Sequence, residues 1–137
     1  MGAYMSEPVR DKVSECGENK SFKFAASTMQ GWRIKQEDAH NCILDFDKDC
    51  SFFAVYDGHG GPEVADYMAR KFPVVLRDSE LWTKQQTGDA LEKAFLDFDA
   101  SLLESEVLDE LKETAARLNK DEEETVPNVK SGLQEEN

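Results

Sequence analysis

A run of aromatic and branched residues, Ser51-Phe52-Phe53-Ala54-Val55-Tyr56, passes without a break into Asp57-Gly58-His59-Gly60-Gly61, and Pro62 follows. Side chains of that kind fit a pleated, half-buried surface, so the run predicts a strand. Proline suits the first turn of a helix, where its missing N–H would have no partner. Val64, Met68, Phe72, Val75 and Leu76 then recur at helical spacing to about Arg77. The order strand, glycine turn, helix places Asp57 at a strand end. There its carboxylate and the next backbone carbonyl project into open space, because glycine lets the chain turn sharply and approach closely.

Upstream, Phe22, Phe24, Ala26 and Thr28 alternate with Lys23, Ala25 and Ser27, which predicts a half-buried strand ended by Gly31. A second alternating run, Cys42, Leu44 and Phe46, ends in Asp47-Lys48-Asp49 and leads straight to the Ser51–Tyr56 strand. Two strands joined by a short polar turn make an antiparallel hairpin. Downstream, a second helix is expected from Asp89, with Asp89 and Glu92 as its capping box. Its apolar stripe is Leu91, Ala94, Phe95, Phe98 and Leu102, continued by Val107, Leu108 and Leu111. Three strands followed by two helices, with no internal repeat, argue for an α+β fold with helices laid on an antiparallel sheet.

Charge divides the chain. Of the net −13, a net of −7 lies from Glu104 onward, where eleven acidic residues face four basic ones. Residues 1–20 mix charges with Gly and Pro and read as a flexible arm; residues 21–112 read as the folded part. Residues 113–137, with Asp121-Glu122-Glu123-Glu124, read as an acidic, disordered tail or the start of an insert. So acidic a chain is expected to repel nucleic acid, whose recognition depends on Lys and Arg. Basic proteins and metal cations are the more natural partners. No stretch is long and apolar enough to span a membrane, and no signal-peptide pattern opens the chain. Cys16, Cys42 and Cys50 are odd in number and lack CxxC spacing, so reduced thiols in an intracellular protein are expected. Met1-Gly2-Ala3-Tyr4-Met5-Ser6 matches the N-myristoylation pattern, making Gly2 a candidate acylation site. One acyl chain would give only weak, reversible membrane association.

Two clusters carry chemistry. Gly31-Trp32-Arg33-Ile34-Lys35-Gln36-Glu37-Asp38-Ala39-His40 lies between the first two strands, and Asp57-Gly58-His59-Gly60-Gly61 ends the third. Asp57, Glu37 and Asp38 offer oxygen donors, and the Gly58 carbonyl can add another. An all-oxygen set favours Mg²⁺ or Mn²⁺ over Zn²⁺. Arg33 supplies a planar fork suited to phosphate, and His59 a group that titrates near neutral pH. Taken singly, each has an ordinary explanation: a turn, a surface charge, an ion-pair partner. Asp45-x-Asp47-x-Asp49 resembles the start of a calcium loop, but Cys50 replaces the turn glycine and Tyr56 the bidentate glutamate. A P-loop is excluded because no Gly-Lys-Ser/Thr follows the glycines.

Together, Gly31-Trp32-Arg33, Glu37-Asp38-Ala39-His40 and Val55-Tyr56-Asp57-Gly58-His59-Gly60-Gly61 closely resemble the type-2C metal-dependent protein serine/threonine phosphatases, over about Phe22 to Leu102. The resemblance implies part of an antiparallel β-sandwich flanked by helices, with two Mg²⁺ or Mn²⁺ ions at its edge. It implies that Asp57 bridges both ions, that the Gly58 carbonyl binds one, and that Glu37 and Asp38 hold their water ligands. Arg33 would bind the substrate phosphate and His59 protonate the leaving Ser or Thr oxygen. The Met-Gly-Ala-Tyr start and the acidic stretch resemble the gamma-type members, which implies phosphoprotein substrates, among them basic nuclear proteins, and a nuclear or cytoplasmic location.

One departure is large. The family's other metal ligands are aspartates in Asp-Gly and Asp-Asn turns farther on, and neither dipeptide occurs after Asp57-Gly58. The expectation is therefore an incomplete catalytic domain whose isolated activity is weak or absent. The competing reading is a non-catalytic short form, acting as an acidic binding module or sequestering partners of the full enzyme.

Overall fold

The computed structural model describes residues 4–125, with side chains to residue 120. Gly2 and the chain beyond Thr125 lie outside the described residues. The fold is α+β: two antiparallel hairpins followed by four helices. Strands β1 (Tyr4–Glu18) and β2 (Lys23–Arg33) form the first hairpin, β3 (Ala39–Asp47) and β4 (Cys50–Tyr56) the second. Helices α1 (Glu63–Arg77), α2 (Glu80–Thr83), α3 (Thr87–Ser101) and α4 (Ser105–Thr125) follow.

The alternation seen in sequence is the pleat of β2. Phe24, Ala26 and Thr28 are half-buried while Lys23, Ala25 and Ser27 are exposed. Asn19 closes this hairpin by accepting the backbone N–H of Ser21 and Phe22 at 2.9 and 2.8 Å, an Asx turn. Its amide also donates to the Leu44 carbonyl and the Asp45 carboxylate, tying the first hairpin to β3. The two hairpins meet again where the Phe24 and Phe53 rings pack edge to face, centroids 5.8 Å apart. In the second hairpin, the Lys48-Asp49 turn puts Asp49 at φ 55, a left-handed conformation that aspartate tolerates. The ladder is irregular between Ile43 and Asp47, and there Ser51 Oγ donates to the Leu44 carbonyl at 2.5 Å.

The core lies between the second hairpin and the helices. Phe46 from β3, Tyr67, Phe72 and Leu76 from α1, Ala90, Ala94 and Phe98 from α3, and Leu111 from α4 form one buried cluster. Phe72 is its hub, with its ring 4.7 Å from Phe95, 5.9 Å from Phe98 and 6.4 Å from Phe52. On the far side of α1, Arg70 pins α4 by donating to Glu110 at 2.8 Å and Thr114 at 3.2 Å, while its Nε holds Asp66 on its own helix.

Several sequence expectations give way here. Residues 4–18, read as a flexible arm, form β1. Its side chains are nearly all exposed, so backbone pairing with β2 holds it and no apolar period marks it. Gly31 does not end β2; at φ 65 it admits a kink beside a register shift, and the strand runs to Arg33. Asp89 is not a helix cap: α3 starts at Thr87, and the Ala90 N–H already bonds the Gln86 carbonyl. The apolar stripe of α3 does not continue into Val107–Leu111, because tight bonds at Leu102–Glu104 break the helix before α4 begins. The short helix α2, which Ser79 caps through the Trp82 N–H, carries no signal in the sequence reading. Residues 113–125, read as part of a disordered tail, continue α4. Buried Leu111 and Thr114 seat that helix despite its charge.

Candidate metal and phosphate site

The register of the second hairpin builds the site. Ala39 opposes Tyr56 in the last pair of the β3–β4 ladder. Continued one step outward, that register sets Asp38 beside Asp57, and a second step sets Glu37 beside Gly58. The second meeting is close. A Cβ on residue 58 would collide with the Glu37 carbonyl oxygen and stand 2.8 Å from its carbon and 2.9 Å from its Cβ. Only glycine permits this approach, so residue 58 is glycine for packing as well as for turning. Tyr56 anchors the ladder end: it is buried, and its hydroxyl donates to Asn41 Oδ1 at 2.8 Å. Burial pushes its pKa up to about 12.

Arg33 arrives from the end of β2. Its Nη2 lies 3.9 Å from Glu37 Oε2, and its side chain is 63% exposed, leaving most of the guanidinium free to meet an incoming anion. The corner that presents it is braced by Gln30, whose amide donates to the carbonyls of Arg33 and Ile34 at 3.0 and 2.8 Å. Gln36 donates to Thr28 Oγ1 at 2.6 Å, fixing the loop back onto β2. Sequence reasoning missed both glutamines, since a bracing role leaves no mark without the fold. It also missed Lys35, which lines the cleft and donates to Asn119 on α4 at 2.7 Å.

Arg33, Lys35, Gln36, Glu37, Asp38, Asp57 and Gly58 line one open cleft of about 220 Å³. Five of the six site residues expected in the folded part are thus brought together. His59 is set apart: it is exposed and lines a neighbouring apolar cleft of about 520 Å³, along the β4 strand and against α1 and α3, with Asp57 and Gly58 common to both.

The donors facing the smaller cleft are carboxylates and a carbonyl, a hard-oxygen set. The oxygens of Glu37, Asp38 and Asp57 do not all fall within 4.8 Å of one another, a condition that among the described residues is met by a different group. Donors spread this way suit ions that keep several waters, as Mg²⁺ does, more than a dry cage of direct ligands. The absent Cβ at Gly58 leaves room for its carbonyl to share in such a site. The residues present therefore fit a hydrated hard cation. Two cationic side chains and three carboxylates thus line the same cleft.

The family model of protein phosphatase 2C matches residues 22–120. The chain belongs to the protein phosphatase 2C family. It is 45% identical over 127 residues to Protein phosphatase 1G of Bos taurus, across 90% of this chain and 23% of that protein. It is 51% identical over 119 residues to Probable protein phosphatase CG10417 of Drosophila melanogaster, across 87% of this chain and 18% of that one. Protein phosphatase ppm-1.G of Caenorhabditis elegans is 43% identical over 113 residues, 82% of this chain and 23% of its own. The chain spans about a fifth of the length of these curated relatives. The gamma-type likeness holds, as the 1G names show. The two motif clusters of this protein phosphatase 2C chain both lie inside the matched region. All three cysteines are free; across the second hairpin Cys42 opposes Phe53 and Cys50 opposes Asp47.

Proposed function

We propose that the cleft is one share of a protein serine/threonine phosphatase centre, which hydrolyses phosphoserine and phosphothreonine by direct attack of water without a phosphoenzyme. The observation that carries this reading is the hairpin register that sets Glu37 and Asp38 against Gly58 and Asp57 with Arg33 beside them. Asp57, the Gly58 carbonyl, Glu37 and Asp38 would hold Mg²⁺ or Mn²⁺, two ions in the complete site, the last two partly through water. Such ions, when bound, neutralise phosphoryl charge and raise the acidity of water. Arg33 receives the phosphate through its exposed fork and orients it. His59, one residue past Gly58 and open to solvent, protonates the leaving Ser or Thr oxygen.

Three carboxylates and one carbonyl, two of the carboxylates acting partly through water, leave two ions few direct protein ligands. In this reading further ligands come from outside these residues, and the isolated chain hydrolyses phosphopeptides weakly or not at all. The substrates are phosphoproteins, with basic intracellular proteins, nuclear ones among them, favoured by the net charge of −13. Among the described residues no helix is long and apolar enough to cross a membrane. Acylation of Gly2 would add only a weak membrane tether.

The test is Mn²⁺ binding and Mn²⁺-dependent phosphate release from a phosphothreonine peptide, by the chain and by Asp57→Asn. Binding that Asp57→Asn weakens, with little or no release, supports the reading. Vigorous Mn²⁺-dependent release would keep the phosphatase and overturn the missing ligands. Binding indifferent to Asp57→Asn overturns the site itself.

A further inference from the structure

Away from this cleft, the face where the first hairpin crosses the second holds three side chains of a different chemistry. His40 and Cys42 stand two residues apart on β3, so both project from the same face of the strand. Glu15 reaches them from β1. His40 Nε2 lies 2.9 Å from Glu15 Oε1. The Cys42 Sγ, the His40 nitrogen and a Glu15 oxygen all fall within 4.8 Å of one another. Among the described residues this is the one group of three metal-ligating side chains gathered that closely. None of the three lines the cleft around Asp57.

We propose that Glu15, His40 and Cys42 form a site for a borderline divalent cation of the Zn²⁺ class, which clips β1 of the first hairpin to β3 of the second. Thiolate, imidazole and carboxylate in one set favour Zn²⁺ over Mg²⁺, Ca²⁺ or Mn²⁺. Zn–S and Zn–N bonds of about 2.3 and 2.0–2.1 Å put tetrahedral donors roughly 3.3–3.6 Å apart. The donors here bracket that spacing, from 2.9 Å for the His40–Glu15 pair to no more than 4.8 Å for the widest. Rotamer adjustment at Glu15, whose side chain is 52% exposed, suffices to even them out. Three protein ligands leave a fourth position to water, and the partial exposure of His40 gives the ion a way in.

The local surroundings set the proton that a cation must displace. Desolvation raises the Cys42 pKa, and Glu15 adds to it by hydrogen bonding and by its charge, so the free protein holds a thiol directed at Glu15. On binding, that thiol gives its proton to solvent and a sulfur–metal bond replaces the S–H bond. A protonated imidazole would likewise lose its Nε2 proton. Just beyond the cluster, Asn19 already joins the hairpins by donating to the Leu44 carbonyl and the Asp45 carboxylate, so an ion there would add to a contact that the fold makes on its own. This assignment uses none of the residues that line the cleft, although His40 closes the Glu37-Asp38-Ala39-His40 motif.

The experiment adds Co²⁺, a spectroscopic substitute for Zn²⁺, to the reduced full chain and reads its absorption; Zn²⁺ is then titrated in to displace it. The expected result is a near-ultraviolet thiolate-to-cobalt charge-transfer band, with visible bands of tetrahedral intensity, that stoichiometric Zn²⁺ abolishes. Cys42→Ser removes the charge-transfer band, while Cys16→Ser and Cys50→Ser keep it. Glu15→Gln and His40→Gln weaken Zn²⁺ binding by roughly tenfold or more, since even outer-shell changes cost 10–100-fold. A second readout is amide exchange along β1, which Zn²⁺ should slow in the parent chain and not in Cys42→Ser. No thiolate band, or a band that survives Cys42→Ser, overturns the proposal and leaves a hydrogen-bonded cluster without an ion.

Discussion

Glu37 and Gly58 face each other two residue pairs beyond the end of the β3–β4 ladder, with the glycine pressed against the Glu37 backbone. That contact makes the two motif clusters one site. It also means that the loop bearing Glu37 and Asp38 and the turn bearing Asp57 cannot move independently. A side chain at residue 58 must push one of them away.

Gly58→Ala is therefore expected to destabilise the fold by about 1–3 kcal/mol, the usual cost of overpacking. The obstacle is backbone, which cannot swing aside as a flexible side chain would. Urea unfolding of the purified chain measures it. Gly60→Ala is the comparison: at φ 77 it carries backbone strain, but nothing stands within 4 Å of its Cβ position. Its cost should be smaller, about 1 kcal/mol, and it should leave Glu37 in place.

The core makes a second prediction. Phe72 and Leu76 are the largest fully buried side chains, and Phe72 meets rings from both β4 and α3. Phe72→Ala should cost about 3–5 kcal/mol and Leu76→Ala about 2–5 kcal/mol. Losses of that size approach the whole stability of a small domain. Thermal unfolding should show a broad or absent transition for Phe72→Ala, whereas Phe95→Ala, at a half-exposed position, should keep a cooperative one.

The helical stripe of α1, the β3–β4 hairpin and the placement of Asp57 at a strand end were legible because each depends on side chains that bury at a fixed period. Phe72, Leu76 and Phe46 could be picked out for that reason. Strand β1 was not legible: Tyr4–Glu18 is held by main-chain pairing and leaves Val13 75% exposed, so its sequence has no apolar face to show. Val107, Leu108 and Leu111 were legible as helical, but the continuation of α4 past residue 112 was not. Its charge there resembles that of an unfolded tail, and buried Thr114, which accepts from Arg70, shows why the helix runs on. The site residues were legible as two clusters, but that His59 lines the neighbouring cleft and not the one around Arg33 was not, since no spacing rule says which way a turn side chain faces.

Alkaline pH supplies a third prediction. Burial raises the Tyr56 pKa from its ordinary 10 to about 12. A group whose pKa is higher when folded adds stability below its unfolded pKa and loses it as pH rises through the folded value. The chain should therefore lose stability between about pH 10 and 12. Tyr56→Phe should flatten this limb while losing about 1 kcal/mol at neutral pH, since Asn41 Oδ1 is left without its donor. Denaturant unfolding across that range, with tyrosinate absorbance followed in parallel, checks both.

Acid and salt should loosen α4 before the hairpins. Glu110 is held below the usual carboxylate pKa, first by the hydrogen bond from Arg70 and then by Lys71. A lowered folded pKa gives stability above the unfolded value of 4.5 that is lost as pH falls through the folded one. Amide protection factors in α4, rates being referred to the unfolded chain at the same pH, should fall below pH 4.5 and with added salt. Arg70→Met should show that lower protection already at neutral pH, while β3 and β4 keep theirs.

Titration of the chain with Mn²⁺, followed by electron paramagnetic resonance alongside Asp57→Asn and Asp45→Asn, decides whether the cleft is a metal site. Asp57 lies in the cleft and Asp45 outside it, at the far end of β3. Saturable Mn²⁺ binding is expected, which Asp57→Asn weakens by at least about tenfold, roughly 1.4 kcal/mol, and which Asp45→Asn leaves unchanged. Equal binding by all three proteins would mean that Mn²⁺ associates only with the acidic surface, and would contradict the site described at the end of the β3–β4 hairpin.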